Sequence, residues 1–430
     1  MIGISAHPNT RPALLFLVHR VPFPPDKGDR IRTFQFLRYL SQKFDVHLAC
    51  LADEPVEDRV IETLQRYCKR VAVANVQGRM RWVRALVSLA TGRTATEGAF
   101  SSSELRAVLK RWVSETRFHV ALASASSMVP YLRLPYLAGI PAVVDLIDVD
   151  SEKWFDYAAA KRGPKSWLYR LEGRRLRRLE QGLSTWAKAV TLVSAAEVAI
   201  YRQFCSDGVV EAVGNGVDLD YFQPQARQTE QGCVFLGALD YWPNIEGICW
   251  FCDEIWPEIR RRHPNATVSI VGRRPTPAVC RLAQVPGVKL VGQVPDVRPH
   301  LAGAAVSIVP LRIARGIQNK VLESMAMGKA TIASPQALEG LQAQPGNDLL
   351  SANTPQEWID SISSLIDTPT LRRRIGAAGR IYAEEHHRWQ RCLEPLDALL
   401  DLAMESRNPN VHIEPAPGRF VCTEPSHAGE

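Results

Sequence analysis

The residue types best suited to chemistry are concentrated in one stretch, 314–334, ARGIQNKVLESMAMGKATIAS. It reads as loop, helix, loop, buried strand. Arg315 and Gly316 form a short loop after the apolar run AAVSIVP at 304–310. Lys320, Leu322, Glu323, Met325, Ala326 and Met327 follow at helical spacing, and Gly328 supplies a stop signal. A helix that opens directly after a strand offers free N–H groups and the positive end of its dipole to an anion. Lys320 adds a cation one turn in, and Glu323 lies three residues further on the same face. A positive end for a phosphate beside a carboxylate for sugar hydroxyls suits a nucleotide sugar. The same spacing also makes an ordinary solvated ion pair; Gly316 before it and the apolar face behind it favour the ligand site.

Three further groups of residues are candidates. In the turn PFPPDKGDRIR at 22–32, Lys27 and Gly28 precede a helix, and a glycine there lets backbone approach a phosphate. At 145–154, DLIDVDSEKW, Asp145 and Asp148 end a predicted strand, where one of them could orient or deprotonate an acceptor hydroxyl. A helix N-cap is the competing reading, since SEKW follows. Asp148-Val149-Asp150 also spells a DxD triplet, but such triplets are common by chance and no metal is assigned to it. Third, the predicted helix at 161–188 sets Arg170, Arg174, Arg175, Arg177 and Arg178 beside Trp167, Leu171, Leu176, Leu179 and Trp186, and the stretch 79–93 flanks Trp82 with arginines. Basic faces with Trp and Leu opposite suit an anionic membrane surface. They equally suit helices that pack Trp and Leu into their own core.

The elements around these residues alternate. Continuous apolar runs at 13–18, 46–52, 70–76, 119–124, 142–147 and 189–194 read as strands, with helical patterns at about 30–43, 56–67, 81–90, 103–115 and one long stretch at 151–187. The second half repeats the scheme, with strands at 233–239, 266–272, 288–292, 304–310 and 330–334. Apolar strands alternating with helices mean parallel sheets covered on both faces. The turn-rich segment AVGNGVDLDYFQP at 212–224 is expected to join two units. The expected layout is a first Rossmann-like, acceptor-binding domain at 1–212, a second, donor-binding domain at 213–390, a helix at 391–405 and a disordered, proline-rich tail at 406–430. Two doubly wound sheets facing each other bring their carboxyl ends, where such sheets bind ligands, around one crevice.

Length and composition agree. At 430 residues with 46% hydrophobic and 23% charged, the chain is a soluble globular type sized for two domains. No apolar run reaches the roughly 20 residues a spanning helix needs, and no signal peptide is expected. Nine scattered cysteines, with CWFC at 249–252 the only CxxC, suggest core packing and a reducing, cytoplasmic setting. The formal charge of +7 is uneven: residues 1–210 carry 31 Lys/Arg against 20 Asp/Glu, and residues 211–430 carry 21 against 25. A basic first half suggests an anionic partner for it, and no nucleic-acid motif accompanies the charge.

These pieces together resemble a GT-B glycosyltransferase of the large retaining family 4. The matching residues are the Gly28 turn, NGVD at 215–218 with Phe222 and Pro224, FLGALDYWPNIEG at 235–247, IVGRRP at 270–275, GQVPDVRPHL at 292–301 and GIQNKVLESMAMGK at 316–329. More narrowly, DLIDVDSEKW with GIQNKVLE is similar to sugar transferases associated with PEP-CTERM/exosortase exopolysaccharide systems. The resemblance implies metal-independent transfer from a nucleoside diphosphate sugar, as co-substrate and with no cofactor, to a glycan or lipid-linked acceptor, in the cytoplasm or at the inner membrane face. It implies a ribose contact by Glu323, Gly316 at the donor sugar and diphosphate, Val294 in the base region and a phosphate and acceptor loop at Gly28; Lys320, Asn319, Arg315 and Lys27 join these as candidates from their position and charge, and Asp148 and Asp145 as catalytic candidates from the end of the predicted strand. Three positions depart from the pattern. Arg315 stands where a glutamate is usual, Ala238 and Asn244 replace a diphosphate-gripping Arg/Lys pair, and Ile147 replaces a histidine before Asp148. Arg315 and Lys320 are expected to supply the missing positive charge. Competing expectations are a nucleotide-sugar epimerase of the same fold and a non-catalytic nucleotide-sugar-binding partner of a polysaccharide assembly.

Overall fold

A computed structural model describes residues 11–225 and 230–405. The expected disordered tail at 406–430 and the first ten residues lie outside the described residues. Among the described residues thirteen strands form two separate, wholly parallel sheets. In the first, β1 (Ala13–Val18), β2 (Asp45–Ala52), β3 (Arg70–Asn75), β4 (Val120–Ser124), β5 (Ala142–Ile147), β6 (Ala189–Leu192) and β7 (Val210–Ala212) lie in the order β3-β2-β1-β4-β5-β6-β7. In the second, β8 (Cys233–Leu236), β9 (Val268–Val271), β10 (Val288–Gly292), β11 (Val306–Val309), β12 (Ala330–Ala333) and β13 (Leu350–Ser351) run β10-β9-β8-β11-β12-β13.

The strands are continuous apolar runs because helices cover both faces. Leu14, Phe16 and Val18 of β1 bury one way, with Phe36 and Leu40, while Leu15 and Leu17 bury the other way, with Trp112 and Met128. Each sheet reverses its winding once, between β1 and β4 and between β8 and β11. Those switch points open a crevice at the carboxyl ends of the strands, where the first turn of a helix can meet a ligand. The helix Gly28–Leu40 follows β1, and the helix Asn319–Ala326 follows β11.

One expectation is corrected. The single helix read at 151–187 is two, Asp150–Ala159 and Pro164–Gly182, because Gly163 takes φ +74° and Pro164 opens a new first turn. Gly173 then lets the second lie against the Phe155 ring of the first. The chain also crosses back: helix Trp389–Glu405 buries Trp389, Leu393, Leu396 and Leu400 in the core of the first sheet. Among the described residues no helix is long and apolar enough to cross a membrane.

A candidate active site in the interdomain cleft

The helix Asn319–Ala326 is pinned from behind. Val321, Leu322, Met325 and Ala326 are buried, and Ser324 shares a 2.7 Å hydrogen bond with Ser307 of β11. That leaves Asn319, Lys320 and Glu323 facing the cleft side. Ahead of it Gly316 adopts φ +62°, pinched between Asp148 and Val193 of the first domain and Gly340 of the second. A Cβ on Gly316 would run into Asp148 Oδ1, so only glycine fits.

Lys320 Nζ donates to Asn244 Oδ1, and Asn244 Nδ2 donates to Ala238 O at 2.9 Å. The two positions where the family pattern loses its cations are thus joined to each other and to Lys320. Its ammonium lies over Gly237, in the loop after β8, and 5.1 Å from the Phe235 ring. Burial pulls the Lys320 amine down to about 8, against the pull of Glu323, and pushes the Glu323 carboxyl up to about 7, against the pull of Lys320. A bound anion would restore full charge to the lysine.

Arg315 is placed differently from the expectation. Its Nε donates to Asp156 Oδ2 at 2.7 Å, and NH1 lies 3.7 Å from Glu197 Oε1. Both carboxylates belong to the first domain, so the guanidinium ties the two lobes together across the cleft, and its charge is already met. The expected compensation therefore falls to Lys320.

Of the two expected catalytic aspartates, only Asp148 keeps an oxygen without a partner. Asp145 is fully buried, and its oxygens accept from Arg32 Nε (3.0 Å) and NH2 (2.7 Å), Ser124 Oγ (3.1 Å) and Thr191 Oγ1 (2.9 Å). With four donors satisfied inside the sheet it holds the frame, and its catalytic assignment is withdrawn. Asp148 Oδ1 is buried with no partner, and burial, reinforced by Glu197, pushes its carboxyl up to about 7. It follows Ile147, which is held at φ +71° where β5 bulges, a strained geometry that aims the carboxylate at Gly316. Asp150 accepts from Ser126.

Gly28 faces Asn319 across the cleft: a Cβ there would stand 3.8 Å from Asn319 Nδ2. That amide nitrogen is also buried and unpartnered, while Asn319 Oδ1 accepts from Asn215 Nδ2 at 3.0 Å. Lys27 is engaged elsewhere, its Nζ 3.1 Å from Glu54 Oε1. Val294 is half-buried against the cluster of Leu236, Val271 and Leu301 at the edge of the donor side. Two contributors escaped the sequence reading. Asn215 accepts from Arg32 NH1 at 2.9 Å and so links the buried clamp to Asn319. Lys153 is held above its ordinary value because Asp150, Tyr241, Tyr157 and Asp148 together outweigh its burial. Both lie inside motifs quoted above, NGVD and DLIDVDSEKW, but neither was given a role of its own.

With this geometry in view, comparison with known proteins becomes decisive for the donor side. Residues 230–368 match the family described as glycosyl transferases group 1. That match lies within the second domain. A curated relative, glycosyltransferase 1 domain-containing protein 1 of Xenopus tropicalis, is 22% identical over 144 residues, 32% of this chain and 41% of that relative's length. Sucrose-phosphate synthase from Thermosynechococcus elongatus superposes with a TM-score of 0.70 at 15% identity, covering 92% of this chain and 100% of that one. Alr3699/HepE of Anabaena, solved in complex with UDP, gives 0.65 at 15% identity over 90% and 99%. These likenesses fix the fold as GT-B: two Rossmann-like domains around the cleft just described.

Proposed function

We propose that this protein is a family 4 type glycosyltransferase that moves a sugar, with retention, from a nucleoside diphosphate to an acceptor seated on the first domain. The observation that carries this reading is the start of the Asn319–Ala326 helix. There two buried, unpaired polar atoms from opposite lobes, Asp148 Oδ1 and Asn319 Nδ2, stand beside the Gly316 loop and the Lys320–Glu323 pair. The Anabaena structure with UDP-glucose supports a uridine diphosphate sugar as the first donor to try.

In this reading the diphosphate lies on the helix N-terminus and Lys320, and Glu323 accepts from the ribose hydroxyls. The bond from C1 to the leaving phosphate oxygen breaks as the acceptor oxygen bonds C1. The fixed dipole and the ammonium stabilise the charge that develops on the diphosphate. Asp148 orients the acceptor hydroxyl, whose proton passes to it or to the departing phosphate oxygen. No metal is assigned, so transfer should survive EDTA. The resemblance to PEP-CTERM/exosortase-associated transferases supports exopolysaccharide biosynthesis as the setting, with a glycan or lipid-linked acceptor at the inner membrane face.

Calorimetric titration with UDP and other nucleoside diphosphates tests the site. Glu323→Ala should weaken the preferred nucleotide by about 1.5–3 kcal/mol, the size of a charged hydrogen bond. Unchanged affinity in a folded variant would overturn the donor assignment. Donor conversion without an acceptor would point instead to an epimerase, and binding without turnover to a non-catalytic partner.

A further inference from the structure

The helix Met80–Ala90 is packed inside out. The residues it buries are small, Ala85 and Ser88, and Ser88 with the Arg84 carbonyl sits so close to Gly98 that no Cβ would fit there. Its large apolar side chains point away from the protein: Met80 is 61% exposed, Trp82 61%, Val83 50%, Leu86 65% and Val87 56%. A helix held by its small residues while Trp, Leu and Met face water has a partner outside this fold.

A second element joins it. Arg175 of the Pro164–Gly182 helix donates to the carbonyls of Leu89 and Arg93 at 2.7 and 2.6 Å, capping the end of the exposed helix. Glu172 accepts from the backbone N–H groups of Ala95 and Thr96. The same long helix exposes Trp167 (66%) and Leu168 near its start. Of the sequence's two basic stretches, the first thus turns Trp82 and Leu86 outward. The second divides, with Trp167 outside and Leu176 and Trp186 packed inside.

Charge selects the occupant. Residues 76–96 contain Arg79, Arg81, Arg84 and Arg93 and no acid; residues 157–171 contain Lys161, Arg162, Lys165 and Arg170 and no acid. Arg79, Lys165 and Arg170 are exposed, Arg93 is exposed but paired with Glu97 at 3.3 Å, and Arg81 stacks 4.8 Å from the Trp82 ring. A second copy of this chain would oppose arginine with arginine. An anionic lipid headgroup layer over hydrocarbon meets both the cations and the apolar chains.

We infer that Met80, Trp82, Leu86 and Val87, with Trp167, form a bilayer-docking face that enters the headgroup layer of anionic membranes. This deepens the proposed function by naming how a transferase with a membrane-borne acceptor would reach it, yet the physical case for the face does not depend on that activity. Docked there, the protein is held by arginines outside and apolar side chains within.

The test is flotation of the full chain with vesicles of phosphatidylcholine alone or mixed with phosphatidylglycerol, at low and high salt. Trp82→Glu with Leu86→Glu is the variant; both positions are exposed, so circular dichroism and nucleotide affinity should match the parent. Expected is binding to phosphatidylglycerol vesicles that falls with salt and drops by about tenfold or more in the variant. Equal recovery with both vesicle types, equal binding by the variant, or a concentration-dependent dimer that the variant abolishes in place of vesicle binding would each overturn the inference. Nucleotide titration of the same samples keeps the two readings apart: vesicle binding without nucleotide binding would sink the donor site and leave the face standing.

Discussion

Asp145→Asn separates a frame role from a catalytic one. The carboxylate accepts four hydrogen bonds from Arg32, Ser124 and Thr191 and is fully buried, as is Arg32. An amide at that position turns one acceptor into a donor facing donors and leaves the guanidinium without its counter-charge. Breaking a buried pair from one side costs about 3–5 kcal/mol. With a urea slope of about 2–3 kcal/mol/M for a domain of this size, the unfolding midpoint of the first domain should fall by roughly 1–2.5 M. Removing both charges together, Asp145→Leu with Arg32→Met, should cost less than the single variant as far as the pair itself is concerned. Part of that gain will be lost because Arg32 NH1 also donates to Val213 O at 2.8 Å and to Asn215 Oδ1. The assay is urea unfolding followed by far-ultraviolet circular dichroism, beside nucleotide titration and a transfer assay. If Asp145→Asn unfolds at the parent's urea concentration yet loses transfer, the frame argument fails and the catalytic assignment returns.

Other outcomes follow from the same geometry. Lys320→Met should weaken diphosphate binding by tenfold or more, about 1.4 kcal/mol, whereas Arg315→Gln, which breaks a cross-cleft pair with Asp156, should change it less than about twofold; the reverse order in calorimetry would restore Arg315 as the phosphate ligand. Asp148, with its carboxyl pushed up to about 7, should give a transfer rate that rises as pH passes through about 7 if it takes the acceptor proton, and Asp148→Asn should flatten that limb. An unchanged pH profile in the variant removes Asp148 from proton handling. His47, buried against Trp112 and Phe118 with neither ring nitrogen bonded, is pulled down to about 4 by burial and by Arg70 and Lys69. The unfolded chain therefore binds the extra proton first, and stability from this group is lost as pH falls from about 6.5 through 4, by up to roughly 3 kcal/mol. His47→Phe should blunt that acid loss in urea titrations at pH 5 against pH 7.

Periodicity and local signals made most of the fold legible. Apolar runs at period-free strand length gave eleven of the thirteen strands. The short edge strands Val210–Ala212 and Leu350–Ser351 were missed because two or three residues carry no pattern of their own. The helix opening at Gly316–Lys320 was readable because a glycine turn, a cation and an acid fall within about two turns of each other in the chain. What stayed hidden depended on partners far away in sequence. Arg32 meets Asp145 across 113 residues, Arg315 meets Asp156 across 159, and Asn215 meets Asn319 across 104. Aspartates 145 and 148 look alike in sequence, and only the sheet decides that one is saturated by four donors while the bulge at Ile147 leaves the other unpaired. The direction of Trp82 was equally undecided by its neighbours, since an amphipathic pattern specifies two faces without saying which one is covered. Sequence sets local conformation through side-chain sterics and spacing; which charges are met and which apolar faces stay wet is settled when distant segments pack.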